Sequence, residues 1–169
     1  MDILDFPALR QRRHRTIGAT SAAVVATAIA GSLATDTSSP WYRSLTKPAI
    51  QPPAWVFPVA WTGLYASIAA VAGRSLADLQ ERGDTAEYRE LRNALAANLA
   101  LNAGWSALFF KGHQPGPATL EAGMLAISSA DLARRNIAVN KRRGAFLLPY
   151  AAWTAFATVL TGTIWYQNR

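Results

Sequence analysis

The chain has 169 residues, 51% of them hydrophobic and 16% charged, with a net charge of +7 and no cysteine. Without cysteine there is no disulfide framework, no thiol chemistry and no thiolate metal site. The basic balance does not point to nucleic acid. Lys and Arg stand in short blocks between long charge-free runs rather than along one stripe, and such blocks mark the ends of membrane-spanning helices.

A chain of this length makes one domain. Its mean hydropathy is only +0.08 because much of the apolar content is alanine, so distribution rather than average assigns the class. Met1–Arg15 reads as a polar leader ending in Arg10, Arg12, Arg13 and Arg15. The apolar run over 16–35 follows, rich in small and β-branched residues, with Gly18 and Gly31 letting neighbouring backbones approach. A basic leader before an apolar run is also the layout of a signal peptide, but this run is long and no soluble domain to export follows it.

The stretch Trp41–Tyr65, WYRSLTKPAIQPPAWVFPVAWTGLY, organises the rest. It reads as a lid rich in Pro and aromatics that feeds a helix starting near Pro52–Pro53, since proline is tolerated in a first helical turn. No residue from Ala49 to Gly73 is charged, which is enough to cross a bilayer core at ~1.5 Å per residue. The spans are set at 16–35, 53–73, 90–110, 118–136 and 144–166. The fourth is the weakest, because Glu121 and Asp131 lie within it. The leader holds four basic residues, the second connection four and the fourth five, against two, one and one in the first connection, the third and the tail. With the N-terminus inside, thirteen face the cytoplasm and four the outside, as the positive-inside rule expects. The expected fold is all-α: a polytopic membrane protein, a five-transmembrane-helix bundle with N-terminus inside and C-terminus outside. Residues 1–15 form its leader and 16–169 the helical domain.

Helical spacing selects an inward face. Asn98, Asn102, Trp105 and Phe109 share one face of the third span, Pro58, Trp61 and Tyr65 one of the second, and Pro149, Trp153, Phe156 and Leu160 one of the fifth. Amides have no reason to face lipid, so the Asn98–Asn102 face turns inward. Two readings stand for Asn98, the wall of a ligand pocket and interhelical hydrogen bonding. Trp41, Trp55 and Trp165 fit a boundary belt, whereas Trp61, Trp105 and Trp153 lie deeper, where inward indoles suit a flat, apolar ligand.

Glu121, Met124, Ser128 and Asp131 form a semi-polar stripe on the fourth helix. Asp131 has Arg134 and Arg135 to pair with. Glu121 either snorkels to the outer surface or couples a proton or cation. His14 and His113 lie in polar segments, so the spans offer no axial ligand to haem iron. No metal site, phosphate loop or nucleophile triad is expected. Ala96, Ala100 and Gly104 make a small-residue ridge, read as a dimer seam or as a contact within the bundle.

Three motifs in order, WYRSLTKPAIQPPAWVFPVAWTGLY, NLALNAGWSALFF and LLPYAAWTAFATVLTGTIWYQN, resemble those of one family. It is the TspO/MBR family of tryptophan-rich sensory proteins and translocator proteins, formerly peripheral-type benzodiazepine receptors. The resemblance runs from Trp41 over most of the chain. It implies a five-helix bundle, often dimeric, that binds tetrapyrroles such as protoporphyrin, isoquinoline-carboxamide or benzodiazepine-type drugs and, in animal members, cholesterol. Carried over by motif, the site comprises Tyr42, Trp61, Tyr65, Asn102, Trp105, Trp153 and Ala157. The chain departs from the pattern at Thr161, where the family's Asn is usual, and at Pro117, where some members have Trp. Gly162 and Tyr166 occupy the Tyr and Arg positions of the animal sterol motif. Leu160, Tyr166 and Arg169 satisfy only a looser sterol-type pattern in a shifted register.

The expected function is a membrane receptor or sensor for protoporphyrin-type tetrapyrroles. The ring would stack among Trp61, Trp105 and Trp153, with its propionates reaching Arg43 or Lys47; those two cations suit lipid-headgroup anchoring equally. No cofactor is obligatory, and without an iron ligand the metal-free ring is the better fit. The alternatives are a transporter of porphyrin or other amphiphiles, in which Glu121 would be essential, and a light-dependent porphyrin-degrading activity in which Trp61 or Trp153 passes electrons to the ring. No other enzymatic site is expected. Expected partners are the lipid bilayer, a small-molecule tetrapyrrole or drug-like ligand and a second copy in a homodimer, with no nucleic acid. Composition and charge bias point to a bacterial inner membrane, with a bacterial or mitochondrial outer membrane as alternatives.

Overall fold

The computed structural model describes residues 6–169, and among them it is helical with no strand. In chain order the helices are α1 (Phe6–Ala34), the short α2 (Pro40–Ser44), α3 (Val56–Arg82), α4 (Thr85–Ser106), α5 (Pro115–Val139), the short α6 (Lys141–Gly144) and α7 (Leu148–Gln167). Three helical stretches, Leu9–Ala34, Val56–Arg82 and Lys141–Gln167, are long and apolar enough to cross a membrane. Outward-facing Val25, Ile29, Leu33, Leu120, Ile127 and Val159 are all exposed, as lipid-facing positions are.

At the charged end the helices outrun the expected spans. Residues 6–15 of the expected leader are the first turns of α1, and residues 1–5 lie outside the described residues. The second span does not stop at Gly73 but continues as α3 to Arg82. Ion pairs hold both extensions. Arg13 reaches Asp78 (2.9 Å) and Glu81 (3.1 Å), and Arg143 of α6 takes the other oxygen of Asp78 (2.5 Å). Charges that read as a loop thus neutralise one another across three helices. The turn to α4 is left to Gly83, at φ 77°, and Asp84, whose N–H bonds back to Leu79 O at 3.0 Å.

Association inside lipid rests on close approach and hydrogen bonding more than on apolar burial. α1 approaches α3 closely at Gly73, where a Cβ would sit 3.4 Å from Ile17 Cα. Gly18, expected to serve this purpose, meets nothing within 4 Å. α4 packs against α1 and α5, and α5 against α7, whereas α3 and α7 approach little by backbone and meet through side chains. One apolar cluster, including Ile68, Leu76, Leu91, Leu132 and Leu147, fills the half nearer the ion pairs. A second, around Phe109, Phe110, Leu160 and Ile164, fills the half beneath residues 41–57. α4 ends in a π-helical turn, Ala107–Lys111, whose wider spacing lets the consecutive Phe109 and Phe110 both be buried.

Candidate functional site

The loop between α1 and α3 is folded by its own side chains. Ser39 caps α2 by accepting from Tyr42 N–H (3.2 Å), with Pro40 in the first turn. Trp41 stacks on His113 of the α4–α5 connection (centroids 4.4 Å apart) and meets Phe109 edge-on at 5.5 Å. It therefore clasps the two loops together. Lys47 Nζ donates to the Tyr42 carbonyl (2.9 Å) and lies 4.6 Å over the Tyr42 ring, so its charge is used in shaping the loop, while Arg43 is exposed. Gln51 Nε2 donates to Tyr42 Oη at 3.3 Å. Burial pushes the Tyr42 phenol up, partly offset by that bond. Asn168, beyond α7, accepts from Thr46 N–H (2.8 Å) and donates to Thr46 O (3.0 Å), tying the loop to the far end of the chain.

Beneath the loop lies a layer of rings. Trp105 stacks on Phe109 at 5.4 Å and meets Phe110 edge-on at 5.9 Å. Tyr42 approaches the same two rings from above, at 6.4 and 5.4 Å. Across the α3–α7 gap, Phe57 meets Trp153 at 6.0 Å, and Trp153 meets Phe156 at 5.6 Å. Trp61 packs against Tyr65 (5.4 Å) and Tyr150 (6.4 Å). The three deep indoles are half-buried and come from three helices. Ala157 is half-buried on α7, and its carbonyl accepts from Thr161 Oγ1 at 2.8 Å. Thr161 is thereby satisfied within its own helix.

Behind the rings runs a polar chain. Tyr65 Oη donates to Asn102 Oδ1 (2.5 Å), Asn102 Nδ2 to Tyr150 Oη (3.2 Å), and Tyr150 Oη to Asn98 Oδ1 (2.8 Å). Asn98 Nδ2 then reaches Ser128 and Ser129 at 3.2 and 3.1 Å. Four helices, α3, α4, α7 and α5, are joined by these side chains. Asn98 is 0% exposed and both ends of its amide are engaged, so of its two readings the interhelical one describes it. Asn102 occupies the same layer at 4% exposure. Tyr150, the node of the chain, was not among the expected residues, although the PYAAW motif contains it; it lies one position off the face picked by helical spacing.

The fourth-helix stripe divides. Met124 is 53% exposed and faces outward, and Asp131 pairs with Arg134 (2.6 Å) and Arg135 (2.5 Å). Glu121 does not snorkel: it is 6% exposed, points at Gly104, and neither carboxyl oxygen has a hydrogen-bond partner. Gly104 therefore belongs to an internal contact, while Ala96 and Ala100 of the same ridge are exposed. Leu160 is buried under the rings, whereas Tyr166 is exposed with Arg169 4.2 Å over its ring. The looser sterol-type pattern does not make one surface. Pro117 lines a separate groove of about 580 Å³ with Gly116, Leu120, Trp165 and Arg169, outside the ring layer.

The motifs that supply these rings lie inside a longer match: a sequence model of the TspO/MBR family fits residues 19–166. The chain belongs to the TspO/MBR family. Its TspO/MBR relatives include the Tryptophan-rich protein TspO of Chlorobaculum tepidum, 33% identical over 146 residues, covering 85% of this chain and 90% of that protein. The Tryptophan-rich protein TspO of Archaeoglobus fulgidus is 34% identical over 151 residues, 86% of this chain and 92% of its own. The Translocator protein of Ovis aries is 33% identical over 129 residues, 76% and 75% of the two chains. With this family and these apolar helices, the TspO/MBR chain is an integral membrane protein of a receptor and sensor family.

Proposed function

We propose that this TspO/MBR protein is a receptor or sensor that holds a metal-free, protoporphyrin-type tetrapyrrole in the ring layer between α3, α4 and α7. The observation that supports the reading is the packing of Tyr42, Phe57, Trp105 and Phe109 in one cluster beneath a tied-down loop, with Trp153 against Phe57 and Trp61 deeper, against Tyr65 and Tyr150. Tyr65 and Ala157 would border the bound ring. A flat ring would enter where α3 and α7 meet only by side chains. Arg43, the loop cation not used to fold the loop, is the partner for a propionate. Each ring contact is worth about 0.5–1.5 kcal/mol beyond area burial. Trp61→Phe and Trp153→Phe should therefore each weaken protoporphyrin binding about 2- to 10-fold, read as quenching of tryptophan fluorescence in a dark titration of the purified protein. Unchanged affinity in both variants would remove the site.

The topology we infer is five spans with the N-terminus inside and the C-terminus outside, in a bacterial inner membrane. Arg13, Arg135 and Arg143 share one end of the bundle with their acidic partners, the end that the basic-residue count assigns to the cytoplasm. Because the chain has no cysteine, single substitutions report on sidedness without background. A membrane-impermeant maleimide should label Lys111→Cys in intact spheroplasts, and Asp84→Cys and Arg142→Cys only after lysis. The reverse pattern would invert the bundle.

A further inference from the structure

The arginines at the charged end of the bundle fall into two groups. Arg13, Arg134, Arg135 and Arg143 are spent on acids of the same chain. Arg89 and Arg92 are not. Among the described residues no carboxylate lies within ion-pair distance of either, and Arg92 has a 3.3 Å contact to the neutral amide of Asn93. Three positions apart, they are neighbours on the surface of α4. Both line a pocket of about 260 Å³, closed on its other side by the end of α3 at Leu79 and Gln80. Positive charge at a helix end needs no ligand to explain it, since it marks the cytoplasmic side. A pocket whose polar side chains are all donors calls for a further reason.

Besides the two guanidinium groups, the lining holds the Thr85 and Tyr88 hydroxyls and Gln80, whose side-chain oxygen is taken by Thr16 at 2.7 Å. What Gln80 still offers is its amide N–H. The nearby acids are turned elsewhere or stand outside. Glu81 pairs with Arg13 and Glu90 with Arg135, and neither Asp84 nor Glu87 lines the pocket. The complement of such a pocket is an anion with several acceptor oxygens, and guanidinium groups match a phosphate best. Position decides which phosphate. Arg92 is the last charged residue before Asn93–Phe110, which has none, so the pocket stands where α4 enters the hydrocarbon. One and two turns further, Ala96 and Ala100 are exposed, a low apolar track along which an acyl chain can lie. A soluble phosphate would meet the cations and leave the track bare, whereas a phospholipid covers both. Two unpaired arginines also favour a lipid of net negative charge, because a zwitterionic headgroup would bring its ammonium against one of them.

We propose that the α3–α4 pocket holds the headgroup phosphate of an anionic phospholipid of the cytoplasmic leaflet, with Arg89 and Arg92 as its ligands. Basic pockets between membrane helices on that side suit such headgroups. The site is separate from the ring layer, so it stands or falls independently of the tetrapyrrole reading. Phosphatidylglycerol and phosphatidylcholine with the same acyl chains make the test, each titrated into detergent-purified protein and counted by native mass spectrometry. The first phosphatidylglycerol should bind about five-fold more tightly than the first phosphatidylcholine, the effect of one arginine near an anionic lipid. Arg89→Gln and Arg92→Gln should each weaken phosphatidylglycerol about five-fold and leave phosphatidylcholine within about two-fold. Melting curves like the wild type's would report that both variants are folded. Arg142→Gln, which removes an exposed cation of the same end outside the pocket, should change neither lipid. Equal affinity of the wild type for the two lipids would overturn the proposal. Equal losses in Arg142→Gln and Arg92→Gln would do the same, by showing a diffuse field in place of a site. Displacement of the lipid by an equal concentration of glycerol phosphate would make the ligand a soluble anion, and a dimer that covers Ala96 and Ala100 and excludes the lipid would make it a second copy; either would overturn the assignment.

Discussion

Gly144→Ala is expected to destabilise the bundle by ~3 kcal/mol, the upper end of the range for an overpacked site. A Cβ on Gly144 would overlap the backbone of Asn136 and Ile137 on α5. Overpacking is mild where the obstructing atoms end a flexible side chain, which can rotate away. Here they are main-chain atoms of a helix in its last turns, so the helices themselves must part. α6 cannot rise alone, because Leu147 and Tyr150, both 0% exposed, follow it directly into the core. Arg143, one residue earlier, is held to Asp78. The extra methyl therefore loosens an ion pair, an apolar layer and the node of the polar chain together. In detergent, thermal unfolding should shift down by roughly 6–12 °C for a chain of this size. Phe146→Ala, two residues on at a 70% exposed position, should change little. A Gly144→Ala protein with wild-type melting would mean that α6 is not seated on α5 as described.

The readable parts of this molecule are those whose signal is local. The absence of charge from Ala49 to Gly73 and the helical spacing of Trp61 with Tyr65, or of Trp105 with Phe109, require only that a helix form. The helices did form, and along them Trp61 packs on Tyr65 and Trp105 on Phe109. What spacing cannot supply is the partner across the bundle. Arg13 and Arg143 lie 65 positions from Asp78 on either side, so a stretch of charges that neutralise each other in space looks like a loop in sequence. Glu121 and Met124 are three positions apart, close enough to be drawn on one stripe, yet the border between core and lipid passes between them. Phe110 is buried beside Phe109 in a π turn, a local irregularity with no compositional mark. The use of Lys47 was hidden for another reason: its partner is a backbone carbonyl, and every residue has one.

The polar layer and the ring layer should separate in a single variant, Tyr150→Phe. The substitution keeps the ring and its volume, so no cavity opens, but it strands Asn98 Oδ1 and one N–H of Asn102 in an interior where Tyr150 is 0% exposed. An unpaired buried group carries a penalty of about 1–3 kcal/mol. Interhelical hydrogen bonds in membranes average only about 0.6 kcal/mol, because the separated helices find other partners. With two groups stranded, we expect a loss of ~1–3 kcal/mol in stability, below that of Gly144→Ala. Protoporphyrin affinity should stay within about two-fold of wild type, the reverse of Trp61→Phe and Trp153→Phe, since the phenol oxygen is committed behind the rings. Removing both partners of a buried hydrogen bond is milder than removing one. Asn98→Leu with Tyr150→Phe should thus lose less than the sum of the single changes, with the coupling read from a double-mutant cycle of melting curves. Should Tyr150→Phe instead abolish ligand binding at unchanged stability, the Asn98–Tyr150 chain would be a face of the binding site, and the division between a structural layer and a recognition layer would not hold.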